Sequence, residues 1–245
     1  MSELDDLQSP AVTKAFLDDA ENNINARNYD LRPIDTHPFD WIAAECLSKC
    51  FAVSRAALLL VESGFPDEAF AAVRSLVECS ANLRYITAVR EEQPARLKQF
   101  TDYALTERGI WYELIMGGNA SDEEKAEAAA FAEENGIPND SKGAYLHWSG
   151  IGQFVRTFTT NPHPLDKDHS TSSFKRGQRA IGYHEPSNFV HCTQPGLDNY
   201  FPAGTKLLIQ PSNSKFHKTA GKTCVVIQIQ LRDVIGYCFF GMGRE

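Results

Sequence analysis

The sequence predicts an all-α protein, an antiparallel helical bundle with a long irregular insertion around residues 136–170. Apolar residues recur at intervals of three and four along most of residues 38–135. Proline at segment starts and glycine at segment ends divide this region into pieces of helical length. Hydrophobic residues make up 42% of the 245 residues, enough for a sizeable core. We therefore expect residues 1–245 to form a single helical domain.

The first helix is expected from Leu4 to Arg27 within a peripheral segment, residues 1–30. Its apolar positions are sparse: Leu7, Val12, Phe16 and Ile24. A second helix, Trp41–Ser63, follows Pro38 and stops before Gly64. This helix is apolar nearly all round and should be central.

A third helix, Asp67–Arg90, should complete a helical hairpin within the bundle core, residues 38–135. Its buried candidates are Phe70, Val73, Val77, Ala81, Leu83 and Ile86. Pro94 introduces a helix over Ala95–Met116, and Ser121 caps a short acidic helix, Asp122–Glu134. Residues 136–170 are rich in Gly, Pro, Asn and Ser and form the natural place for a site.

The C-terminal segment, residues 171–245, should contain helices over residues 172–182, 186–191 and 219–240. Residues 225–231 also alternate as a strand would, but the length of the apolar segment favours a helix.

The N-terminal residues Met1–Ser9 are acidic, unlike a secretory signal, and the apolar run Ala56–Val61 is too short to cross a bilayer. We expect a cytoplasmic protein without a membrane partner. The six cysteines lie mostly in apolar runs, which favours buried free thiols over disulfides or a zinc site. The sequence lacks the P-loop, dinucleotide-binding, nucleophile-elbow and H-E-x-x-H signatures, and we expect no cofactor and no metal.

Charge is distributed unevenly along the chain. Residues 1–138 contain 12 Lys and Arg against 25 Asp and Glu, a net charge of −13, whereas residues 139–245 contain 12 against 7, a net charge of +5. The second part could face an anionic partner, or the two parts could attract each other within the fold.

Three sets of residues could carry chemistry. Arg74 and Glu78 are four residues apart and share one face of an apolar helix. They could form a structural ion pair that anchors a neighbouring helix, with a buried carboxylate, or they could belong to an active site.

Tyr183, Ser187 and His191 are also spaced by four and would share a stripe. Tyr183 and His191 could form a buried hydrogen-bond network with Glu78. In a sharper version His191 would activate Ser187 as a nucleophile.

The third set is Arg179 and His184, preceded by the basic residues Lys175 and Arg176. Histidine can move a 2′-hydroxyl proton near neutral pH while arginine stabilises the developing phosphate charge, so the pair suits metal-free RNA cleavage. The spacing is weakly specific, because two other pairs match it: Arg32 with His37, and Arg156 with His163.

The runs A-A-V-R-S-L-V-E-C-S-A-N-L-R-Y-I, F-T-D-Y, W-S-G and Y-x-x-x-S-x-x-x-H occur in this order over roughly residues 40–200. They resemble a family of uncharacterised bacterial helical proteins, a domain of unknown function. The resemblance implies an all-helical fold in which Arg74, Glu78, Tyr183, Ser187 and His191 come together, without an established activity.

A more distant likeness is to the HEPN superfamily of small helical domains, which often dimerise and, when active, cleave RNA through R-x4-6-H without metal. This resemblance implies catalytic roles for Arg179 and His184 in a homodimer. Two features depart from the pattern: Ala180 stands where a polar residue often follows the arginine, and Gly182 interrupts the expected helix.

Three hypotheses follow. The chain could be a HEPN-like, metal-independent ribonuclease of a bacterial defence or toxin-type system that binds RNA through Lys175 and Arg176. It could instead be a non-enzymatic module that senses or binds a protein partner. A third possibility is a small-molecule enzyme that uses Arg74, Glu78 and His191.

Overall fold

The structure, a computed structural model, describes residues 8–27, 29–101, 121–123, 126, 130, 133, 163–166 and 216–244. Within these residues the secondary structure is helical and contains no strand, which confirms the all-α prediction. The chain divides into two compact units, Met1–Arg84 with His163–Glu245, and Tyr85–Pro162. That the whole chain folds as one domain stays a prediction.

Helix α1 spans Pro10–Ala26. Ser9 caps it by accepting a hydrogen bond from the backbone N–H of Val12, and Pro10 occupies the first turn, where its missing N–H costs nothing. The predicted start, Leu4, lies outside the described residues. Residues 8 and 9, which the prediction placed in the helix, are not helical. The fully buried residues of α1 are Thr13 and Leu17.

The predicted hairpin is present. Helix α2 spans Pro38–Glu62 and ends before Gly64, whose φ of 91° is a left-handed conformation that favours glycine. The partner is not one helix but two, α3 (Pro66–Ala72) and α4 (Arg74–Thr87), separated by a turn at Val73. The predicted core positions are all buried: Phe70, Val73, Val77, Ala81, Leu83 and Ile86.

Helix α5 spans Phe216–Gly241 and includes residues 225–231, which confirms a helix there rather than a strand. It packs against α1, α2 and α3. Its fully buried apolar side chains recur at helical spacing: Cys224, Ile227, Leu231, Val234 and Cys238. Residues Lys218–Gly241 are long and apolar enough to cross a membrane, but a core helix of a soluble protein passes the same test, and half of the most apolar window is buried.

Other predicted elements are described only in part. In the second unit, a 3-10 turn at Arg90–Glu92 precedes helical residues 93–101, the beginning of the helix predicted over residues 95–116. Residues 122, 123, 126, 130 and 133 are helical, in agreement with the predicted acidic helix. Of the predicted loop-rich insertion, residues 163–166 are described and contain a 3-10 turn at Pro164–Asp166.

A buried carboxylate, that of Asp40 in the first turn of α2, binds the side chain of Arg32 in the preceding segment. Asp40 is 1% exposed and accepts hydrogen bonds from the Arg32 side chain, with Nε–Oδ2 and Nη2–Oδ1 distances of 2.7 Å. Two parallel bonds of this kind are the strongest geometry for an arginine–carboxylate pair. The hydrogen bonds from Arg32 lower the pKa of the Asp40 carboxyl group.

The same cluster reaches the end of α5. Arg32 Nη2 donates to the Met242 carbonyl oxygen at 2.8 Å, and Arg244 Nη2 lies 3.6 Å from Asp40 Oδ2. Arg244 also donates to the Asp30 carbonyl oxygen at 2.6 Å. One carboxylate thus connects the segment before α2 with the residues after α5.

We predict that Asp40→Asn lowers the free energy of unfolding by about 1–3 kcal/mol at pH 7, because charged hydrogen bonds to a buried group are lost. A lowered pKa in the folded state means that this stabilisation is present above the ordinary Asp pKa, about 4, and disappears as the pH falls below it. Urea unfolding at pH 7 and pH 3 measures both effects. Asp35→Asn, at an exposed position, is the matched control, and equal stability of the two variants at pH 7 would contradict the prediction.

Candidate functional site

The predicted ion pair is present on α4. Arg74 Nε lies 3.0 Å from Glu78 Oε1, one helical turn away. The Arg74 side chain is 17% exposed and that of Glu78 is 40% exposed. The expectation of a buried carboxylate at Glu78 is therefore wrong, because solvent reaches the glutamate side chain. Among the described residues, Arg74 is the only polar partner of Glu78.

Asn82 lies one helical turn after Glu78, on the same face of α4. Arg74, Glu78 and Asn82 form the polar stripe of α4. Its Oδ1 atom is buried and has no hydrogen-bond partner among the described residues. A buried amide oxygen without a donor is costly and usually marks a place that a ligand, a water molecule or another polar group completes. Asn82 was not predicted as a site residue, although its spacing of four from Glu78 was a usable signal.

Arg84 lies on another face of α4 and is 3% exposed. Its Nη1 atom is 3.5 Å from the hydroxyl oxygen of Tyr237 on α5. The Tyr237 ring in turn packs edge-on against the ring of His163, with centroids 4.7 Å apart. This buried polar path was also missed, because it joins residues far apart in the chain.

Asp67, in the first turn of α3, is fully buried. Neither of its carboxylate oxygens has a hydrogen-bond partner among the described residues. A buried carboxylate without a partner costs several kcal/mol of desolvation. In the sequence, an aspartate just after Pro66 is typical of an ordinary exposed helix start, which hid this feature.

The other predicted site residues lie outside the described residues: Lys175, Arg176, Arg179, Tyr183, His184, Ser187 and His191. Whether they approach Arg74 and Glu78 stays a prediction. Of the other two R-x4-6-H pairs, Arg32 with His37 is described, and Arg156 with His163 is described only at His163. Arg32 is held by Asp40, and the ring of His163 packs against the rings of Tyr237 and Phe240.

The five described cysteines are free thiols, as predicted. Cys79 Sγ lies 4.0 Å from the Cys46 carbonyl oxygen, and Cys238 Sγ donates to the Ala43 carbonyl oxygen at 3.5 Å. Burial raises the pKa of the Cys238 thiol, which keeps it protonated. Within the described residues, no group of three or more His, Cys, Asp or Glu could hold a metal ion.

The polar stripe of α4 falls inside a segment that matches a family model. Residues 40–203, more than half of the chain, match a family of unknown function, DUF5677. The chain belongs to this family. No curated protein and no solved structure matches the chain. The predicted domain-of-unknown-function resemblance is thereby confirmed, while the HEPN-like relation and a bacterial origin stay predictions.

The matched segment begins at Asp40 and contains nearly all of α2, together with α3 and α4. It also contains the predicted site residues from Lys175 to His191. Helices α1 and α5, which pack against α2, lie outside it.

We predict that Glu78→Gln changes the free energy of unfolding by less than about 0.5 kcal/mol, because a partly exposed pair four residues apart contributes little. Urea unfolding measures the change. Glu92→Gln is the matched control, since Glu92 pairs with Arg96 at the same spacing with an Nη2–Oε2 distance of 2.7 Å. A loss of several kcal/mol at Glu78 alone would instead indicate a structural network around it.

For Asp67→Asn we expect a free energy of unfolding higher by at least about 1 kcal/mol, because asparagine keeps the shape of the side chain and avoids the cost of burying a carboxylate that has no hydrogen-bond partner among the described residues. Urea unfolding beside Asp19→Asn, an exposed control on α1, tests this. Destabilisation by Asp67→Asn would mean that the carboxylate is bound by a partner.

Proposed function

We propose that the chain is a HEPN-like, metal-independent endoribonuclease in which Arg179 and His184 carry the chemistry. His184 would take the proton from the 2′-hydroxyl group of RNA, and Arg179 would stabilise the negative charge that develops on the phosphate. Lys175 and Arg176 would contact the RNA backbone. A homodimer would bring two such pairs together, and a bacterial defence or toxin-type system is the proposed setting.

The observation that carries the proposal is that members of the two other arginine–histidine pairs are engaged in structural contacts. Arg32 is held in two short hydrogen bonds by a buried carboxylate. His163 is 3% exposed and packs against aromatic rings of α5. Both residues have structural roles, so neither pair is suited to meet a substrate. We therefore favour Arg179 with His184, which have the same spacing, as the catalytic pair.

The all-helical fold and the charge distribution also support the proposal. HEPN-like domains are helical, and the described residues are helical without a strand. Arg179 and His184 lie in residues 139–245, which have a net charge of +5, whereas residues 1–138 have a net charge of −13. A polyanion would be attracted to the first of these regions and repelled by the second.

A second candidate function is favoured by the polar stripe of α4. Arg74 and Glu78 form a partly exposed pair, and the buried side-chain oxygen of Asn82 has no hydrogen-bond partner in the part of the chain that the structure describes. Such groups could orient a small polar substrate, with His191 as an acid or base. The exposure of Glu78 weighs against the remaining hypothesis, a non-enzymatic binding module in which Glu78, Tyr183 and His191 form a buried network.

Cleavage of labelled single-stranded and structured RNA in the presence of EDTA tests the proposal. We expect cleavage by the unmodified protein and a loss of at least about a hundredfold in His184→Ala, because general acid–base catalysis contributes that much or more. Arg179→Ala should also lose activity, while its affinity for RNA should fall less than its cleavage rate.

Two variants separate the candidate sites. His191→Ala and Glu78→Gln should retain cleavage if Arg179 and His184 form the site, and circular dichroism checks that each variant is folded. Loss of cleavage in His191→Ala with retention in His184→Ala would move the site to the stripe of Tyr183, Ser187 and His191. Absence of cleavage in every form, with an RNA panel that a control ribonuclease degrades, would overturn the proposal.

A further inference from the structure

The turn at His163–Asp166 is attached to α5 by two of its side chains. His163 is 3% exposed, and its ring packs edge-on against those of Tyr237 and Phe240, with centroid distances of 4.7 and 4.9 Å. Leu165 lies over Gly236, where an added Cβ atom would stand 3.5 Å from Leu165 Cδ1. A histidine thus fills a position in the core that an aromatic side chain could fill.

One hydrogen bond in this turn depends on the protonation state of His163. The backbone N–H of Leu165 donates to Nδ1 of His163 at 3.1 Å. A ring nitrogen accepts a hydrogen bond only while it carries no proton, so Nδ1 is unprotonated in the folded turn. Protonation of Nδ1 would remove the acceptor and would place its N–H group opposite the backbone N–H group of Leu165.

Charged residues on two helices lie near Tyr237, against which the His163 ring packs. On α4, Arg84 is 3% exposed and its Nη1 atom lies 3.5 Å from the Tyr237 hydroxyl oxygen. On α5, Asp233 stands one helical turn before Tyr237 and is partly exposed. An imidazolium at His163, which is 3% exposed, would place a positive charge in the core, where burial disfavours the charged form.

We propose that His163 is a pH-dependent anchor: in its neutral form it holds the turn at residues 163–166 on α5, and its protonation releases that turn. Histidine is the side chain whose ordinary titration range lies between pH 5 and 8. The neutral ring can accept the hydrogen bond from Leu165 and packs against the two aromatic rings without carrying a charge. The attachment of the turn to α5 therefore weakens as the pH falls.

Amide hydrogen exchange of the full-length protein tests the anchor. The protection factor of the Leu165 amide, which corrects for the intrinsic pH dependence of exchange, should fall at least about tenfold between pH 7.5 and pH 5.0. The amide of Leu58 in the core of α2 should keep its protection, which excludes global unfolding. Equal protection of Leu165 at the two pH values would overturn the proposal.

His163→Asn is the discriminating variant, because its Oδ1 atom can replace Nδ1 as an acceptor and does not titrate. We expect its Leu165 amide to be protected equally at both pH values. A tenfold loss of protection in His163→Asn as well would show that another group causes the change, against the proposal.

A second measurement keeps the test decisive if the smaller side chain loosens the turn at every pH. In the unmodified protein, the NMR shifts of the His163 ring and the protection of the Leu165 amide should change with the same midpoint. Two separate midpoints would contradict an anchor that works through His163.

Discussion

The burial of α5 is the constraint on which the rest of the first unit depends. This helix contacts α1, α2 and α3, and Ile227, Leu231 and Val234 are fully removed from solvent. Each such side chain stabilises the fold by about 1.5–3 kcal/mol relative to leaving it exposed. Two polar contacts set where α5 lies: Gln228 Nε2 donates to Thr13 Oγ1 at 2.8 Å, and the cluster around Asp40 holds the residues that follow the helix. A helix formed by the last residues of the chain therefore completes a core begun by the first.

Most helices of this core were predictable because their ends carry strong local signals. Pro38 and Gly64 bound α2 through the fixed φ of proline and the left-handed conformation of glycine. The break between α3 and α4 has no such signal. The N–H of Leu76 bonds to the Val73 carbonyl oxygen three residues back, at 3.0 Å, yet Val73 remains buried. The spacing of the buried apolar residues does not change across a turn of this kind. The sequence pattern therefore predicted one continuous helix.

The candidate site was predictable only where chemistry depends on local spacing. The interval of four residues placed Arg74 and Glu78 in contact, but periodicity shows which residues share a face and not which neighbour covers it. The exposure of Glu78 therefore could not be read from the sequence. The partners of Arg84 and His163 lie on α5, far along the chain, and no local pattern joins them. The same holds for Arg244, which meets Asp40 through the fold alone.

The buried polar atoms of the described core are only partly paired. Thr13 pairs with Gln228, Asp40 with Arg32, and Arg84 with Tyr237. Ser54 Oγ, both oxygens of Asp67 and Oδ1 of Asn82 have no hydrogen-bond partner among the described residues. Each such group costs about 1–3 kcal/mol when it is left unpaired. These atoms lie on α2, α3 and α4, inside the matched segment, so the stability of these helices depends on the apolar contacts that α1 and α5 make around them.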